Sequence, residues 1–469
     1  MSGWRRSRWI MWIVVPLIVL AGLGYGAFQL TMLHFYPDPP EAHYPPPANA
    51  LEAQRQDLDY FVKLQELDRS YSPAARAQAN RVIAIMKAAN KALPPQALLV
   101  RLMQITALAD NGHTHMRLLG PGRFPNLVPV RVTRFGSDFY VMRAKPLYKD
   151  LLGGRLISID GMPFTEIAKR LDGLRGGLPG FRRQNGTLYV SVQDILFGAG
   201  IAKAPMRSTW TVQLPSGALA TRTLAAYRMP KSGDEPDTGY RWSSLAPLAK
   251  GWVGYAPAAG TLPISRQNLD RVFENLAIAG SCARYVRLQD IIDTDGQRIA
   301  PFLQKTEAEI AAHPPCAVIL DLRGNGGGNY TNAWHFAHTL PKLTKHTYIL
   351  TDPDTFSAAI TTTAFFKETG GRNVTILGEP IGDRLAFFAE GSGACLPNSK
   401  LCDTYATGKH VYNGPCTDWH ICYWVNWFYP VRVKSLAPDE LIVERFADWD
   451  AGHDTPYERA LALANARNR

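Results

Sequence analysis

The chain has 469 residues, too many for one small hydrophobic core, so about two or three domains are expected. Apolar residues make up 46% of the sequence and charged residues 19%, which excludes an intrinsically disordered chain. The formal net charge is +11, but the basic residues are scattered among acidic ones, and no run of them is interleaved with aromatics. We therefore expect no nucleic-acid partner.

Residues 1–33 contain an apolar stretch that begins at about Trp9 and carries no formal charge. At about 1.5 Å per residue, it is long enough to cross a bilayer of roughly 30 Å. Arg5, Arg6 and Arg8 precede the stretch, which favours a cytoplasmic start. A cleaved signal peptide is the alternative, although no clean Ala-x-Ala cleavage site is present. We expect an uncleaved, single-pass anchor in the inner membrane, with the body of the protein on the periplasmic side.

The next three regions differ in their sequence patterns. Residues 34–49 are rich in proline and predict a stiff spacer that lifts the body off the membrane. In residues 50–110 apolar side chains recur at three- and four-residue spacing, which predicts a helical cap of about three helices. Residues 111–250 contain short runs typical of strands, with a turn at Asp160-Gly161, and predict a β-rich middle region.

Predicted strands and helices alternate through residues 251–469. This alternation indicates an α/β domain with a largely parallel sheet and helices on its faces. In such a sheet, functional groups gather at the carboxyl ends of the strands. One of these strands, Ala317–Leu322, leads directly into a glycine-rich loop.

The glycine-rich loop consists of Gly324, Gly326, Gly327 and Gly328 with Asn325 between the first two. Its spacing does not match the dinucleotide-binding fingerprint, and it lacks the Gly-Lys-Ser/Thr of a phosphate-binding loop. An oxyanion hole fits better, because it requires only backbone N–H groups that point at a developing negative charge.

A strand, a turn and a helix are predicted over residues 347–360, and Ser357 stands where the helix begins. A serine at this position usually caps the helix, so its position alone does not identify a nucleophile.

The six cysteines all lie after residue 281, and four of them fall within residues 391–429, a segment rich in turn-forming residues. This pattern predicts an insertion closed by disulfides in an oxidising compartment. The six candidates for disulfide bonds are Cys282, Cys316, Cys395, Cys402, Cys416 and Cys422.

Two pairings of the four clustered cysteines remain open. One joins neighbours, Cys395 to Cys402 and Cys416 to Cys422, and the other is nested, Cys395 to Cys422 and Cys402 to Cys416. A zinc site with nearby histidines is an alternative, but no Cys-x-x-Cys pair is present, so we expect no metal and no cofactor.

Together these motifs resemble the tail-specific (C-terminal processing) and tricorn-type serine peptidase family. The segment Asp321-Leu-Arg-Gly-Asn-Gly-Gly-Gly328 is similar to its hallmark motif, and Thr355-Phe-Ser-Ala358 is similar to its nucleophile motif. Further matches, in the family's order, are Leu108-Ala-Asp-Asn-Gly-His-Thr114, Leu377-Gly-Glu-Pro380, Ala437-Pro-Asp439 and the stretch 448–460. The resemblance covers roughly residues 50–465 and implies a ClpP/crotonase-like catalytic domain that cleaves polypeptides.

The resemblance implies that Ser357 is the nucleophile. One branch of the family activates its serine with a lysine, but the corresponding segment, 378–385, contains none. In the other branch the base is a histidine, and His113 occupies the matching motif, so we expect His113 to accept the serine proton. The oxyanion donors implied are backbone N–H groups of Gly326, Gly327 or Gly328 and of Ala358. Arg323 and Asn325 are expected to hold the loop in place.

An acid that orients His113 is not identifiable from the sequence. Asp110, Glu379, Asp383 and Glu390 are all candidates. The stretch Leu152–Pro163 resembles the closing half of a PDZ-like domain, without a recognisable carboxylate-binding loop. The alternative function is a non-catalytic ligand- or peptide-binding protein on the same fold, which the missing acid would favour. The sequence predicts neither the natural substrate nor the oligomeric state.

Overall fold

The computed structural model describes residues 3–230, 247–294 and 296–467, with side chains described from residue 14 onward. The part of the predicted middle region that spans residues 231–246 lies outside the described residues. Four helices begin the chain: α1 (Gly3–Phe35), α2 (Ala50–Leu67), α3 (Pro73–Ala88) and α4 (Pro95–Ala107).

The helices α2 to α4 form the cap that the apolar spacing predicts. The side chain of Asn49 caps α2 by accepting the N–H groups of Leu51 and Glu52, each at 3.0 Å. Ser72 caps α3 in the same way, and proline occupies the first turn of both α3 and α4. Their apolar faces join one core with the middle region.

The proline-rich segment 34–49 packs on the body. The hydroxyl groups of Tyr405 and Tyr60 donate to the carbonyls of Pro37 and Pro40, at 2.7 and 2.8 Å. Further along, the Gln56 amide donates to the carbonyl of Pro45 at 3.0 Å. Because these proline carbonyls lack partners within the segment, they accept hydrogen bonds from donors on the body.

The middle region is a sheet with three helices, so the expectation that it is mostly strand misses α5 to α7. Its main sheet has the order β10-β4-β5-β7-β8, with β3 beside β4 and β6 beside β5. The strands are β1 (His115–Arg117), β2 (Asn126–Leu127), β3 (Val130–Phe135), β4 (Asp138–Ala144), β5 (Arg155–Ile159), β6 (Met162–Pro163), β7 (Arg207–Gln213), β8 (Leu219–Ala225), β9 (Tyr227–Arg228) and β10 (Val253–Gly254). The helices are α5 (Phe164–Asp172), α6 (Pro179–Tyr189) and α7 (Gln193–Gly198).

The last part of the chain is built on a six-stranded sheet of order β11-β12-β13-β14-β15-β20. All neighbours from β12 to β20 are parallel, as predicted, and β11 is antiparallel to β12. The strands here are β11 (Phe273–Ala277), β12 (Ala283–Leu288), β13 (Ala317–Asp321), β14 (Thr347–Thr351), β15 (Val374–Gly378), β16 (Ala386–Ala389), β17 (Ser392–Cys395), β18 (Cys402–Tyr405), β19 (Gly408–Val411) and β20 (Glu440–Leu441). The helices are α8 (Ile299–Ala312), α9 (Thr331–Leu343), α10 (Ala358–Gly370), α11 (Phe446–Asp450) and α12 (Thr455–Arg467).

Helices cover both faces of this parallel sheet. The helices α8, α9 and α10 pack on one face, where Val318, Leu320 and Ile349 are fully buried. Helix α12 packs on the other face, where Ile319 and Tyr348 are buried against it. Burial on both faces explains why strands β13 and β14 are apolar along their whole length.

Three disulfides are present, and the pairing of neighbours in the insertion is confirmed. Cys395 bonds to Cys402, Cys416 to Cys422, and Cys282 to Cys316. The nested pairing is wrong because Cys395 and Cys402 face each other in register on β17 and β18. With all six thiols in disulfides, the cysteines are not available as zinc ligands.

Candidate active site

Ser357 lies in a sharp turn between β14 and α10, at the carboxyl edge of the parallel sheet. Its backbone has φ 53° and ψ −121°, a strained conformation for a residue with a side chain. Its hydroxyl does not cap α10, although capping is the usual role of a serine at this position. A strained strand-to-helix turn of this kind is how hydrolases expose a nucleophilic serine.

His113 faces Ser357 from the loop between α4 and β1. Its Nε2 atom lies 3.0 Å from the Ser357 Oγ atom. The ring stacks on Phe356, with centroids 4.4 Å apart, and lies parallel to Phe387 at 5.6 Å. The Arg175 guanidinium donates to the carbonyl of Gly112 at 2.7 Å, which fixes the loop beside the histidine. The structure therefore brings together the two residues expected from the motifs, although they are 244 positions apart.

His113 is neutral at physiological pH. Burial of the ring lowers its pKa to about 3, and repulsion from His410 and Arg175 adds to the shift. The negative charge of Glu390 and the carbonyl of Phe388 oppose this shift. The Nδ1 atom is buried and has no hydrogen-bond partner of good geometry in the described part of the chain.

Two of the four candidate acids accept hydrogen bonds from arginine side chains. Asp110 accepts the Arg384 guanidinium at 2.6 Å on the surface. Glu379 accepts two hydrogen bonds from Arg134, at 2.8 and 3.0 Å. Neither carboxylate contacts His113 in the described residues, so neither orients its ring directly.

The other two candidates are Asp383 and Glu390. Asp383 is buried and accepts the backbone N–H of Arg384 at 2.8 Å, and burial raises its pKa to about 6. Glu390 accepts from His410 Nε2 at 3.1 Å and from the hydroxyl of Tyr36. These hydrogen bonds lower the pKa of Glu390 and keep it charged.

Glu390 reaches His113 only through a stack of rings. The Phe387 ring lies between the two histidines, nearly parallel to His113 and 5.1 Å from His410, with an interplanar angle of 10°. Glu390 therefore acts on His113 by its charge and not by a hydrogen bond. The sequence gives no signal for this arrangement, because it depends on β16 pairing with β19.

The glycine-rich loop lies directly against the serine. A Cβ atom on Gly327 would lie 2.6 Å from the Ser357 Cβ atom and 3.0 Å from the Ala358 nitrogen. The N–H of Gly327 donates to the Asn325 side chain at 2.9 Å, so this N–H is already engaged. The N–H of Ala358, at the first position of α10, has no acceptor within the helix. Of the expected donors, the backbone N–H of Ala358 and that of either Gly326 or Gly328 therefore remain to donate to a ligand oxygen.

Buried polar side chains hold this loop, as expected for Arg323 and Asn325. Asn325 donates from its amide to the carbonyl of Leu288 at 2.8 Å. Arg323 is 5% exposed and donates to Asp321 and Asp454 at distances from 2.6 to 3.1 Å. Asp352, which the motif analysis did not single out, accepts the Gly324 N–H at 3.0 Å.

A second histidine, His115, lies two positions after His113 and has a structural role. His115 Nδ1 lies 2.9 Å from the Thr404 hydroxyl, and its backbone pairs with β18. Among the described residues, no group of three or more His, Cys, Asp or Glu side chains is arranged to hold a metal ion.

The chain is similar to several solved structures. Mature CPAF complexed with lactacystin has a TM-score of 0.56 and 12% identity, covering 90% of this chain and 100% of that chain. Mature CPAF alone has a TM-score of 0.55 and 12% identity over 89% and 97% of the two chains. A photosystem II D1 C-terminal processing protease has a TM-score of 0.34 and 12% identity over 85% and 98%.

No protein-family model matches the chain, and no curated protein sequence matches it. The class that the structure defines is a three-layer α/β domain with a serine and a histidine at the carboxyl edge of its parallel sheet. Within that class, the chain has the fold of mature CPAF, over nearly the full length of both. The family resemblance expected from the motifs is confirmed at the level of the fold.

Proposed function

We propose that this chain is a membrane-anchored serine peptidase with Ser357 as nucleophile and His113 as general base. The observation that carries the proposal is the 3.0 Å contact between His113 Nε2 and Ser357 Oγ, at a serine with strained backbone. A structural serine would gain nothing from this strain, whereas a nucleophile held away from its helix is exposed for attack.

The proposed reaction follows from the positions of these groups. Neutral His113 takes the hydroxyl proton as Ser357 Oγ attacks the carbonyl carbon of a peptide bond. The N–H groups of Ala358 and of Gly326 or Gly328 stabilise the oxyanion that forms. His113 then gives the proton to the leaving amine, and water hydrolyses the acyl-enzyme by the same steps.

Glu390 is the acid that we assign to His113. Its negative charge opposes the shift that lowers the pKa of the histidine, so it stabilises the imidazolium that forms during attack. Because the Phe387 ring separates Glu390 from His113, Glu390 acts on the histidine by its charge and does not contact the reacting atoms.

Location outside the cytoplasm is part of the proposal. Residues Val14–Phe35 are long and apolar enough to cross a membrane, and a signal sequence passes the same test. The three disulfides favour an oxidising compartment. We propose that α1 remains as a single span in the inner membrane and that the body faces the periplasm.

Labelling with a fluorophosphonate probe tests the catalytic proposal. We expect a covalent adduct on Ser357 that is lost in Ser357→Ala and reduced at least about 100-fold in rate in His113→Ala, the loss typical of a missing general base. Mature CPAF was solved with lactacystin, so lactacystin is expected to compete with the probe. The parent chain should also hydrolyse an unfolded protein substrate, whereas His113→Ala should hydrolyse it much more slowly and Ser357→Ala should not hydrolyse it.

Two exposed positions serve as matched controls. Ser216→Ala, in an exposed turn, and His335→Ala, whose side chain is 73% exposed, should label like the parent chain. Absence of a Ser357-dependent adduct in the folded chain would contradict catalysis and favour the non-catalytic binding protein.

A further inference from the structure

Three tryptophans and one phenylalanine lie within residues 419–428 of the cysteine-rich insertion, and one of them, Trp419, stacks on His34 near the end of α1 with ring centroids 6.5 Å apart. Three of them are strongly exposed: Trp419 at 65%, Trp427 at 61% and Phe428 at 66%. The fourth, Trp424, packs edge-on against Phe428 with ring centroids 5.9 Å apart. We call Trp419, Trp424, Trp427 and Phe428 the aromatic patch.

The end of α1 is fixed to the body beside this patch. Phe35 is 2% exposed, and its ring packs edge-on against Tyr423 at 5.5 Å. The Arg69 guanidinium donates to the carbonyl of His34 at 3.0 Å, at the helix C-terminus, where a cation is favourable. The helix is thus docked to the body and is not joined to it by a free tether.

The patch continues along the apolar helix. The ring of Phe28 contacts the ring of Trp424 edge-on, with centroids 6.0 Å apart. Phe28 is seven residues before Phe35, so this contact lies about 10 Å along the helix from its docked end. Trp424 therefore lies alongside the stretch Val14–Phe35, whose apolar side chains are otherwise exposed.

The patch is held rigidly, which distinguishes it from a loose loop. The disulfide between Cys416 and Cys422 closes the turn that carries Trp419. A short 3-10 turn, Trp424–Trp427, carries the rest. Tryptophan is enriched at membrane–water interfaces, where its ring lies at the level of the lipid headgroups.

We propose that the aromatic patch is a second membrane contact, which enters the interfacial region of the same bilayer that α1 crosses. This inference rests on the proposed anchor, because a bilayer around Val14–Phe35 would surround Trp424 and Phe428 as well. The helix end also adjoins the candidate active site, since the Tyr36 hydroxyl donates to Glu390. The patch therefore holds Ser357 and His113 close to the membrane surface, and the polypeptides within reach are those near that surface.

The test uses the full chain in vesicles of phosphatidylcholine and phosphatidylglycerol with a trace of phospholipid whose acyl chain carries a diazirine. After irradiation and digestion, mass spectrometry maps the lipid adducts. We expect adducts on α1 and on the peptide that contains residues 419–428. Leu147 and Leu219, which are 79% and 66% exposed in the middle region, should carry none.

The outcomes separate the patch from the anchor. Adducts on α1 alone would overturn the membrane contact of the aromatic patch and support the anchor. Adducts on neither segment would overturn both proposals. Adducts on 419–428 without α1 would contradict the anchor and would overturn the proposal that the patch enters the bilayer that α1 crosses. Cross-links between two copies of the chain through 419–428, in place of lipid adducts, would overturn the patch.

A double variant at exposed positions completes the test. Trp427→Ser with Phe428→Ser should lower lipid labelling of this peptide several-fold and leave labelling of α1 unchanged. The matched control, Leu147→Ser with Leu219→Ser, should change neither. Equal labelling of 419–428 in the variant and in the parent chain would count against the patch.

Discussion

At the scale of single residues, the strain at Ser357 is sustained by hydrogen bonds on the residues beside it. A residue held in a sparsely populated backbone region costs about 1–3 kcal/mol. The N–H of Phe356, the residue before, donates to the carbonyl of Asn325 at 2.9 Å. The Thr355 hydroxyl donates to the carbonyl of Leu322 at 2.8 Å, so the turn and the glycine-rich loop hold each other in place. The geometry of the serine therefore depends on the loop.

Gly327→Ala tests this dependence. Gly327 has φ +115°, and a Cβ atom there would lie 2.6 Å from the Ser357 Cβ atom, so the serine must move. A misplacement of about 1 Å costs on the order of 100-fold in rate, and we expect a loss of that size in the rate of labelling by the fluorophosphonate.

The control for this variant separates backbone strain from the clash. Gly217 also has a positive φ, +86°, but a Cβ atom there would meet nothing within 4 Å. Gly217→Ala should cost about 1–2 kcal/mol of stability and leave the labelling rate unchanged. Equal labelling rates in the Gly327 variant and the parent chain would mean that the loop does not position Ser357.

Glu390 gives a second prediction at this scale. Because the pKa of His113 is lowered to about 3, its neutral form persists as the pH falls. The labelling rate should therefore stay level between about pH 8 and pH 5, whereas an ordinary histidine with a pKa of about 6.5 would lose activity within that range. Glu390→Gln removes the charge that stabilises the imidazolium and should lower the rate about ten-fold, or roughly 1.4 kcal/mol.

Two controls accompany Glu390→Gln: a substitution at a second acid, and a measurement of the amount of folded protein. Asp110→Asn removes an exposed carboxylate that pairs with Arg384 and should leave the rate unchanged. A rate for Glu390→Gln equal to that of the parent chain, or a rate that halves near pH 6.5, would contradict the assignment. If Glu390→Gln only reduced the fraction of folded protein, less protein would be labelled, but the folded fraction would be labelled at the rate of the parent chain.

The serine and the histidine could be predicted from the sequence because each stands in a contiguous motif. Ser357 follows a buried strand, and His113 stands in the short segment Leu108–Thr114. The sequence could not single out Glu390 among the four candidate acids, because Glu390 meets His410 only after β16 pairs with β19. Nor does the sequence show that the Phe387 ring separates the charge from His113.

At the scale of elements, the C-terminal helix α12 holds the glycine-rich loop through one buried ion pair. Asp454 precedes α12, accepts the Tyr457 N–H at 3.3 Å and accepts Arg323 at 2.8 Å. Both side chains of the pair are at most 4% exposed. Loss of Asp454 would remove one of the three carboxylates around the buried Arg323 guanidinium, which also pairs with Asp321 and Glu444.

Asp454→Ala removes charge-assisted hydrogen bonds and should therefore destabilise the domain by about 1.5–3 kcal/mol and lower the urea midpoint of unfolding. Arg459→Ala is the control on the same helix, because its pair with Glu440 is nearly half exposed and is worth at most about 1 kcal/mol. Similar urea midpoints for the two variants would show that the buried pair does not fasten the loop.

The elements of the parallel sheet could be predicted to within a few residues because buried strands and amphipathic helices alternate there. The helices α5 to α7 were missed in a region of short strands. Helix α6 begins at Pro179-Gly180 and contains Gly186, and α7 has only six residues. Such helices are stabilised by packing rather than by propensity. A Cβ atom on Gly198 would lie 2.2 Å from the Gln96 carbonyl, so α7 packs closely on α4.

At the scale of the whole molecule, the proline-rich segment joins the three parts of the chain. It starts at the docked end of α1, and its carbonyls accept hydrogen bonds from α2 and from Tyr405 of β18. The cysteine-rich insertion likewise contributes Leu396 and Leu401 to the core of the N-terminal half. The predicted boundaries therefore divide a chain whose parts share their cores, because sequence patterns show local structure but not which distant segments pack together.

The oxidation state of the chain tests its compartment. All six cysteines are paired, and a disulfide persists only in an oxidising environment. In membranes dissolved directly in denaturant that contains a maleimide mass tag, we expect no cysteine to react, and we expect all six to react when the disulfides are reduced first. The reduced sample is the positive control for tagging. Six tags without reductant would place the body in a reducing compartment and contradict the proposed topology, whereas two tags would show that one of the three pairs is open.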